Sequence, residues 1–170
     1  WEAINNPKKH VVAQIAPAVR VALGEQFGMT SGDIVTGKIT AALKKMGFGK
    51  VFDTSFSADL TVMEEGTEFL ERFTKGEKLP QFTSCCPAWV KFAEQYYPEI
   101  LPRLSSCKSH QQMFGSLARA TLPKILNVKP ENLFIVSIMP CTAKKFEAKR
   151  PEFTHENLAD IDAVITTQEL

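Results

Sequence analysis

Two cysteines stand side by side in Phe82-Thr83-Ser84-Cys85-Cys86-Pro87-Ala88-Trp89, and another follows an apolar run in Met139-Pro140-Cys141. Adjacent cysteine side chains diverge, and a disulfide between sequence neighbours strains bridge geometry, so the pair is an uncommon packing choice. Pro87 suits the first turn of a helix, where its missing N–H costs nothing. Trp89, Val90, Phe92 and Ala93 then continue with helical spacing. Cys86 is therefore expected at a helix N-terminus, where free N–H groups and the macrodipole favour a thiolate. A thiolate placed there is a nucleophile, a metal ligand or a redox group. The plainer alternative is a pair of buried thiols acting as small hydrophobes. Cys86 and Cys141 together can give two thiolates to one soft metal centre, as iron–sulfur clusters require. They lack the paired C-x2-C knuckles of a zinc ribbon.

Charged and polar residues near these cysteines extend the chemistry. Lys144 follows Cys141 by one helical turn and can point a cation at an anionic ligand, or simply at solvent. Glu65, Glu68 and Arg72 share one helix face, about 100° round from the apolar stripe. Glu68 and Arg72 have the spacing of a surface i,i+4 pair. As a functional group, the same face is a carboxylate relay carrying protons to Cys85. Ser109, His110 and Gln111 open a helix with Ser109 as cap. Cys107 has no motif around it and reads as structural. Gly28–Asp33 matches neither a Walker loop nor a dinucleotide fingerprint.

The elements that must position these residues follow from periodicity. Val11–Ala16 is a buried strand, stopped by Pro17, which opens a helix to about Gly24. Ser31 is placed to cap a helix with Val35, Ile39, Ala42, Leu43 and Met46 on one face and Gly47 as its stop. Lys50–Asp53 reads as a second strand. Ser57 caps a helix with the stripe Val62, Phe69, Leu70 and Phe73, ending at Gly76. Gln81–Thr83 is a short third strand leading into the double cysteine, followed by a helix from Pro87 to about Tyr97. Ser109–Leu122 is helical and closed by Pro123. Leu133–Met139 carries the strongest strand signal and, being almost wholly apolar, suits a parallel strand covered on both faces. Ile161–Thr166 is a last strand, and Thr166 or Thr167 begins a helix. The alternation gives an α/β fold with a mostly parallel sheet and helices on both faces. Ala16-Pro17, Ser84-Cys85-Cys86 and Met139-Pro140-Cys141 all fall at strand ends, where open parallel sheets gather ligands.

Composition excludes several classes. The 170 residues suffice for one cored domain, and 44% hydrophobic with 23% charged residues is ordinary for a globular chain. A formal charge of +1 leaves no nucleic-acid footprint. No run approaches the roughly 18 apolar residues of a membrane span. The polar start Trp1–Lys9 has no signal-peptide core, so the expectation is a cytoplasmic protein, with a periplasmic one left open because the chain starts at Trp rather than Met. Cysteines in a reducing compartment point to metal or catalysis rather than to disulfides.

Thr83–Trp89 (T-S-C-C-P-A-W) and Met139–Glu147 (M-P-C-T-A-K-K-F-E) resemble the first two signature motifs of iron-only, or [FeFe], hydrogenases. The likeness extends through Ala16–Arg20, Thr67–Arg72, Ser109–Gln112 and Asp160–Thr167. It implies the first lobe, residues 1–170, of a two-lobed catalytic domain that binds the H-cluster, a [4Fe–4S] cubane joined to a two-iron subcluster. By resemblance Cys86 and Cys141 are two of the four cubane ligands, with the other two in a later motif of the remaining lobe. Cys85 would exchange protons with the bridging amine of the two-iron unit, and Glu65, Ser105, Glu68 and Arg72 would continue the path. Lys144 and the backbone at Ala16 and Pro17 would face the two cyanides, with Met139 and Gln111 packed around the carbonyls. The chain departs from common family residues at Ala18, Ala88 and His110. The implied reaction interconverts H2 with protons and electrons. The implied partners are a ferredoxin or a flavin- or NAD(P)-linked subunit, with further iron–sulfur clusters in other domains. Two rivals share the motifs. One is the hydrogenase-like iron–sulfur assembly proteins, which lack the two-iron unit. The other is the sensory hydrogenases.

Overall fold

In the computed structural model, which describes residues Trp1–Leu170, four strands form one parallel sheet in the order β2-β1-β3-β6. They are β1 (His10–Ile15), β2 (Lys50–Asp53), β3 (Leu133–Met139) and β6 (Ala163–Thr166). The helices are α1 (Glu2–Asn5), α2 (Val19–Ala22), α3 (Thr36–Met46), α4 (Ser55–Lys75), α5 (Pro87–Tyr96), α6 (His110–Leu126) and α7 (Ala143–Glu147). A small hairpin pairs β4 (Thr154–His155) with β5 (Leu158–Ala159).

The two central strands, β1 and β3, are buried on both faces, which is why their sequences run apolar without alternation. On one face Val11, Ala13, Ile15, Val136 and Ile138 pack against Val35, Ile39, Leu43 and Phe48 from α3 and its flanks. On the other, Val12, Leu133 and Ile135 meet Phe114, Ala118 and Leu122 of α6, with Ile161 beside them. Each Val, Leu, Ile or Phe side chain among them gains about 1.5–3 kcal/mol on burial. Gln14 is the polar exception in β1 and has no exposed surface. Its amide donates to Ser137 Oγ (2.6 Å) and to the Gln111 carbonyl (3.1 Å), and its Oε1 accepts from Thr54 Oγ1 (3.1 Å). The burial cost is thereby met, and β1, β3, α4 and α6 are tied at one level.

The expected α/β architecture is present, with local corrections. Gln81–Thr83 does not join the sheet; Phe82 makes only an isolated parallel bridge to Leu104. Three residues between Pro80 and Ser84 offer few ladder bonds, and Phe82 N and O are satisfied by Arg103 O (2.9 Å) and Ser105 N (2.7 Å) instead. Ser31 caps nothing: its hydroxyl donates to Glu25 (2.6 Å), and α3 starts later, at Thr36. Ser57 lies inside α4 rather than before it, bonding back to Thr54 O at 2.8 Å. α6 runs through Pro123 to Leu126 and ends at Asn127 in the left-handed region. Burial of Leu122 and Pro123 there compensates the one ladder bond proline forfeits. The chain end after β6 is a turn, with Glu169 accepting from Thr166 N at 2.7 Å. The largest correction is the stripe of α4. Val62, Phe69, Leu70 and Phe73 are exposed, while the buried residues of the helix are Ser57 and Thr61. Small hydroxyl side chains let α4 approach α6, and that turns the apolar side outward.

Candidate metal centre

The chain leaves β1 for β2 on one side and returns to β3 on the other, so the strand order reverses between β1 and β3. Ligand crevices form at such a switch point, beyond the carboxyl ends of the strands. The two strand ends are adjacent there: Ile15 pairs with Ile138, and Ala16 N donates to Ile138 O at 3.0 Å. Ala16 and Met139 are buried at 7% and 4% exposure, whereas Pro17 faces outward. Cys141 follows at once and is half-buried.

Cys86 is the N-cap of α5: its Sγ accepts from Trp89 N at 3.5 Å, and Pro87 occupies the first turn. It is exposed, and none of the four cysteines is in a disulfide. The Trp89 indole fixes the approach to the helix by donating to Thr83 O at 3.1 Å. Lys144 joins the two cysteine turns. Its Nζ donates to Cys85 O at 2.8 Å, although it belongs to the helix that starts after Cys141. Glu147 holds that ammonium at 3.1 Å and is itself 4% exposed. Ser109 Oγ (2.9 Å) and Gln111 Nε2 (3.1 Å) also donate to Glu147. Gln111 is 1% exposed, yet its Oε1 has no partner, and neither does His110 Nδ1. Burial and the nearby Lys144 cation lower the pKa of His110 against the pull of Glu65, leaving the ring neutral at pH 7.

A second polar chain runs from α4 to the loop before α6. Ser105 Oγ donates to Glu68 Oε2 at 2.7 Å, and Arg72 holds Glu68 Oε1 at 2.6 Å. Arg72 also donates to the carbonyls of Arg103 (3.0 Å) and Leu104 (2.8 Å), and Ser106 N donates to Glu68 at 3.1 Å. Glu68 and Arg72 are thus not the solvated pair that their spacing suggests; their side chains are 18% and 11% exposed. Burial pushes the Glu68 carboxyl up, but the donors from Ser105, Ser106 and Arg72 outweigh it and hold the pKa below the ordinary value. Glu65, one turn earlier, makes no hydrogen bond to this network; its carbonyl accepts from Gln81 Nε2 at 3.3 Å.

Cys107 is less isolated than its sequence suggests. Its N–H donates to Ser105 Oγ at 3.2 Å, and its carbonyl accepts from Ser84 Oγ at 2.8 Å. Burial raises its thiol pKa, and the charges of Glu68, Glu65 and Glu64 add to that. Glu147 and Gln14 also escape a reading by spacing. Gln14 announces itself only as a polar residue within a strand-like apolar run. No three His, Cys, Asp or Glu side chains gather into a closed metal site. Cys86 and Cys141 are free thiols on turns that the Lys144–Cys85 hydrogen bond links, and could serve as two donors of a thiolate-held cluster.

The chain matches the family described as iron only hydrogenase large subunit, C-terminal domain, over residues 9–170. It is similar to Iron hydrogenase 1 of Clostridium pasteurianum, with 54% identity covering 99% of this chain and 29% of that protein. A cytosolic Fe-S cluster assembly factor, narfl of Xenopus tropicalis, is 38% identical, covering 97% of this chain and 36% of its own. The solved structure of a Cys-to-His variant of apo [FeFe]-hydrogenase HydA1 from Chlamydomonas reinhardtii superposes with a TM-score of 0.92 at 42% identity, over 99% of this chain and 45% of that one. The chain spans about a third of the length of these curated relatives.

Proposed function

Because the chain belongs to the family of iron-only hydrogenase large subunits, we propose that it is the first lobe of a hydrogenase domain that interconverts H2 with protons and electrons at an H-cluster. The observation that supports this reading is the Lys144–Cys85 hydrogen bond, which links the Cys85–Cys86 turn to the helix that follows Cys141. Cys86 and Cys141 would hold the cubane, and the remaining lobe would supply the other thiolates. When bound, the cluster would relay electrons and offer the iron at which H2 is split or formed. Lys144 offers its ammonium to an anionic ligand, and Glu147 keeps that ammonium aimed at the crevice. The backbone at Ala16 and Pro17 would face the anionic ligands, and Met139 and Gln111 would pack around the carbonyls.

The Cys85 thiol holds a proton beside the crevice. Glu65 is the next carboxylate, and Ser105 Oγ then passes its own proton to Glu68 Oε2 while accepting one from the inner side. Arg72 offers donors and no acceptor, so it relays no proton itself. It orients Glu68 and, by lowering the carboxyl pKa with its neighbours, favours discharge toward solvent. Cys85 together with Glu65 supports turnover rather than a scaffold role in cluster assembly. A ferredoxin or a flavin- or NAD(P)-linked subunit would exchange the electrons. No helix is long and apolar enough to cross a membrane.

The test is anaerobic analysis of the complete protein for iron, acid-labile sulfide, infrared carbonyl and cyanide bands, and H2 uptake. The reading expects all of them. Cubane iron without those bands or H2 uptake would move the protein to the assembly class.

A further inference from the structure

The sheet that delivers Cys141 does not deliver Cys86. β3 leads directly to Cys141, whereas Phe82–Cys86 hangs on the Arg103–Ser105 turn. No residue of α5, the helix capped by Cys86, belongs to either apolar core. Ligands of one centre nonetheless need placement to about 0.5 Å, so the two turns require another register.

Side-chain contacts cross the gap at two levels. Near the crevice, Lys144 holds Cys85 O. About 12 Å further along the α5 axis, two turns on, Arg150 Nη2 donates to Glu94 Oε1 at 2.6 Å. Arg150 Nε is fixed on Glu152, so the guanidinium fork is held at both arms. The Arg150 guanidinium and Lys91 Nζ of α5 both lie over the ring of Phe146 of α7, at 6.0 and 5.9 Å from its centre. The side chains of Arg150 and Glu94 are 22% and 27% exposed, less wet than a free surface pair.

We propose that Arg150 and Glu94 are positioning residues for the metal centre: their ion pair stops α5 from rocking against α7 and so sets the separation of the Cys86 and Cys141 thiolates. The inference rests on the hydrogenase reading above. Neither side chain meets a ligand; Glu94 acts through α5, which Cys86 caps, and Arg150 through the turn after α7, the helix that follows Cys141. Removing either leaves the sheet and its two cores intact but loosens the N-cap of α5.

The complete enzyme is compared with its Glu94→Gln, Arg150→Gln and milder Arg150→Lys variants, and with the exchange Glu94→Arg plus Arg150→Glu. The readouts are iron release to excess chelator, the cubane reduction potential, and hydrogen exchange at the Trp89 and Val90 amides in metal-free protein. Loss of an outer-shell partner typically weakens metal binding by about 10–100-fold. Iron release should accelerate on that scale in the Gln variants and less in Arg150→Lys. The potential should move, the two amides should exchange faster, and the charge exchange should restore retention. Unchanged release, potential and amide exchange in Glu94→Gln and Arg150→Lys would overturn the inference, as would a charge exchange that recovers nothing. A parent enzyme without cluster iron would refute the hydrogenase reading instead, while the amide exchange would still decide whether the pair steadies α5.

Discussion

At Glu68 one carboxylate receives donors from Arg72, Ser105 and Ser106, and the consequences are measurable. Its pKa is depressed in the fold, so its contribution to stability is fully present above the ordinary carboxyl value of 4.5 and is lost as pH falls through the lower folded value. Glu68→Gln should therefore flatten the acid limb of a stability-against-pH curve measured by denaturant unfolding. Glu68→Ala, which orphans the donors, should cost about 1–3 kcal/mol at neutral pH. Cys107 faces the same carboxylate, and its raised pKa predicts slow alkylation. Peptide-resolved labelling across pH should find Cys107 reacting later than exposed Cys86, and Glu68→Gln should shift its profile to lower pH. An unshifted profile would detach Cys107 from Glu68. The residue types at the site were legible in the sequence, because a double cysteine before a proline has few other uses. The partners were not. Lys144 reaches Cys85 O, and Arg72 reaches Leu104 O, across loops that no local spacing describes.

Among the elements, β1 and β3 were legible because burial on both faces leaves an unbroken apolar run, and α5 because Pro87 marks its first turn. The strand expected at Phe82 failed because three residues cannot carry a ladder. The stripe of α4 shows a deeper limit. Periodicity reports that a face is apolar, not that anything in the chain covers it. α6 is the opposite case, since it is locked against the segment before β6. A Cβ on Gly115 would lie 2.6 Å from the carbonyl oxygen of Asp160. Gly115→Ala must therefore shift backbone, and overpacking of this kind costs about 1–3 kcal/mol. Thermal unfolding should show the loss, while Gly66→Ala in α4, where nothing lies within 4 Å, should be neutral or stabilising. Equal effects at the two glycines would contradict the packing described.

For the whole molecule, the parallel sheet delivers the Cys141 turn at its switch point, as alternation of strands and helices suggested, while the strand expected to deliver Cys86 is not part of that sheet. What alternation could not convey is how the Cys85–Cys86 turn is tethered, since it lies off the sheet and depends on side chains. Two thiolates are half of what a cubane takes. Residues 1–170 alone should therefore retain no stable cluster after anaerobic reconstitution, and near-stoichiometric cubane iron would contradict that. The central claim divides labour between neighbours: Cys86 holds the cluster and Cys85 moves protons. Its most direct test is Cys85→Ala in the complete enzyme, read by infrared spectroscopy and H2 turnover on the same sample. The account predicts intact carbonyl and cyanide bands with turnover reduced by about 10²–10⁴-fold, the usual weight of a positioned proton donor. Full turnover with intact bands would contradict it.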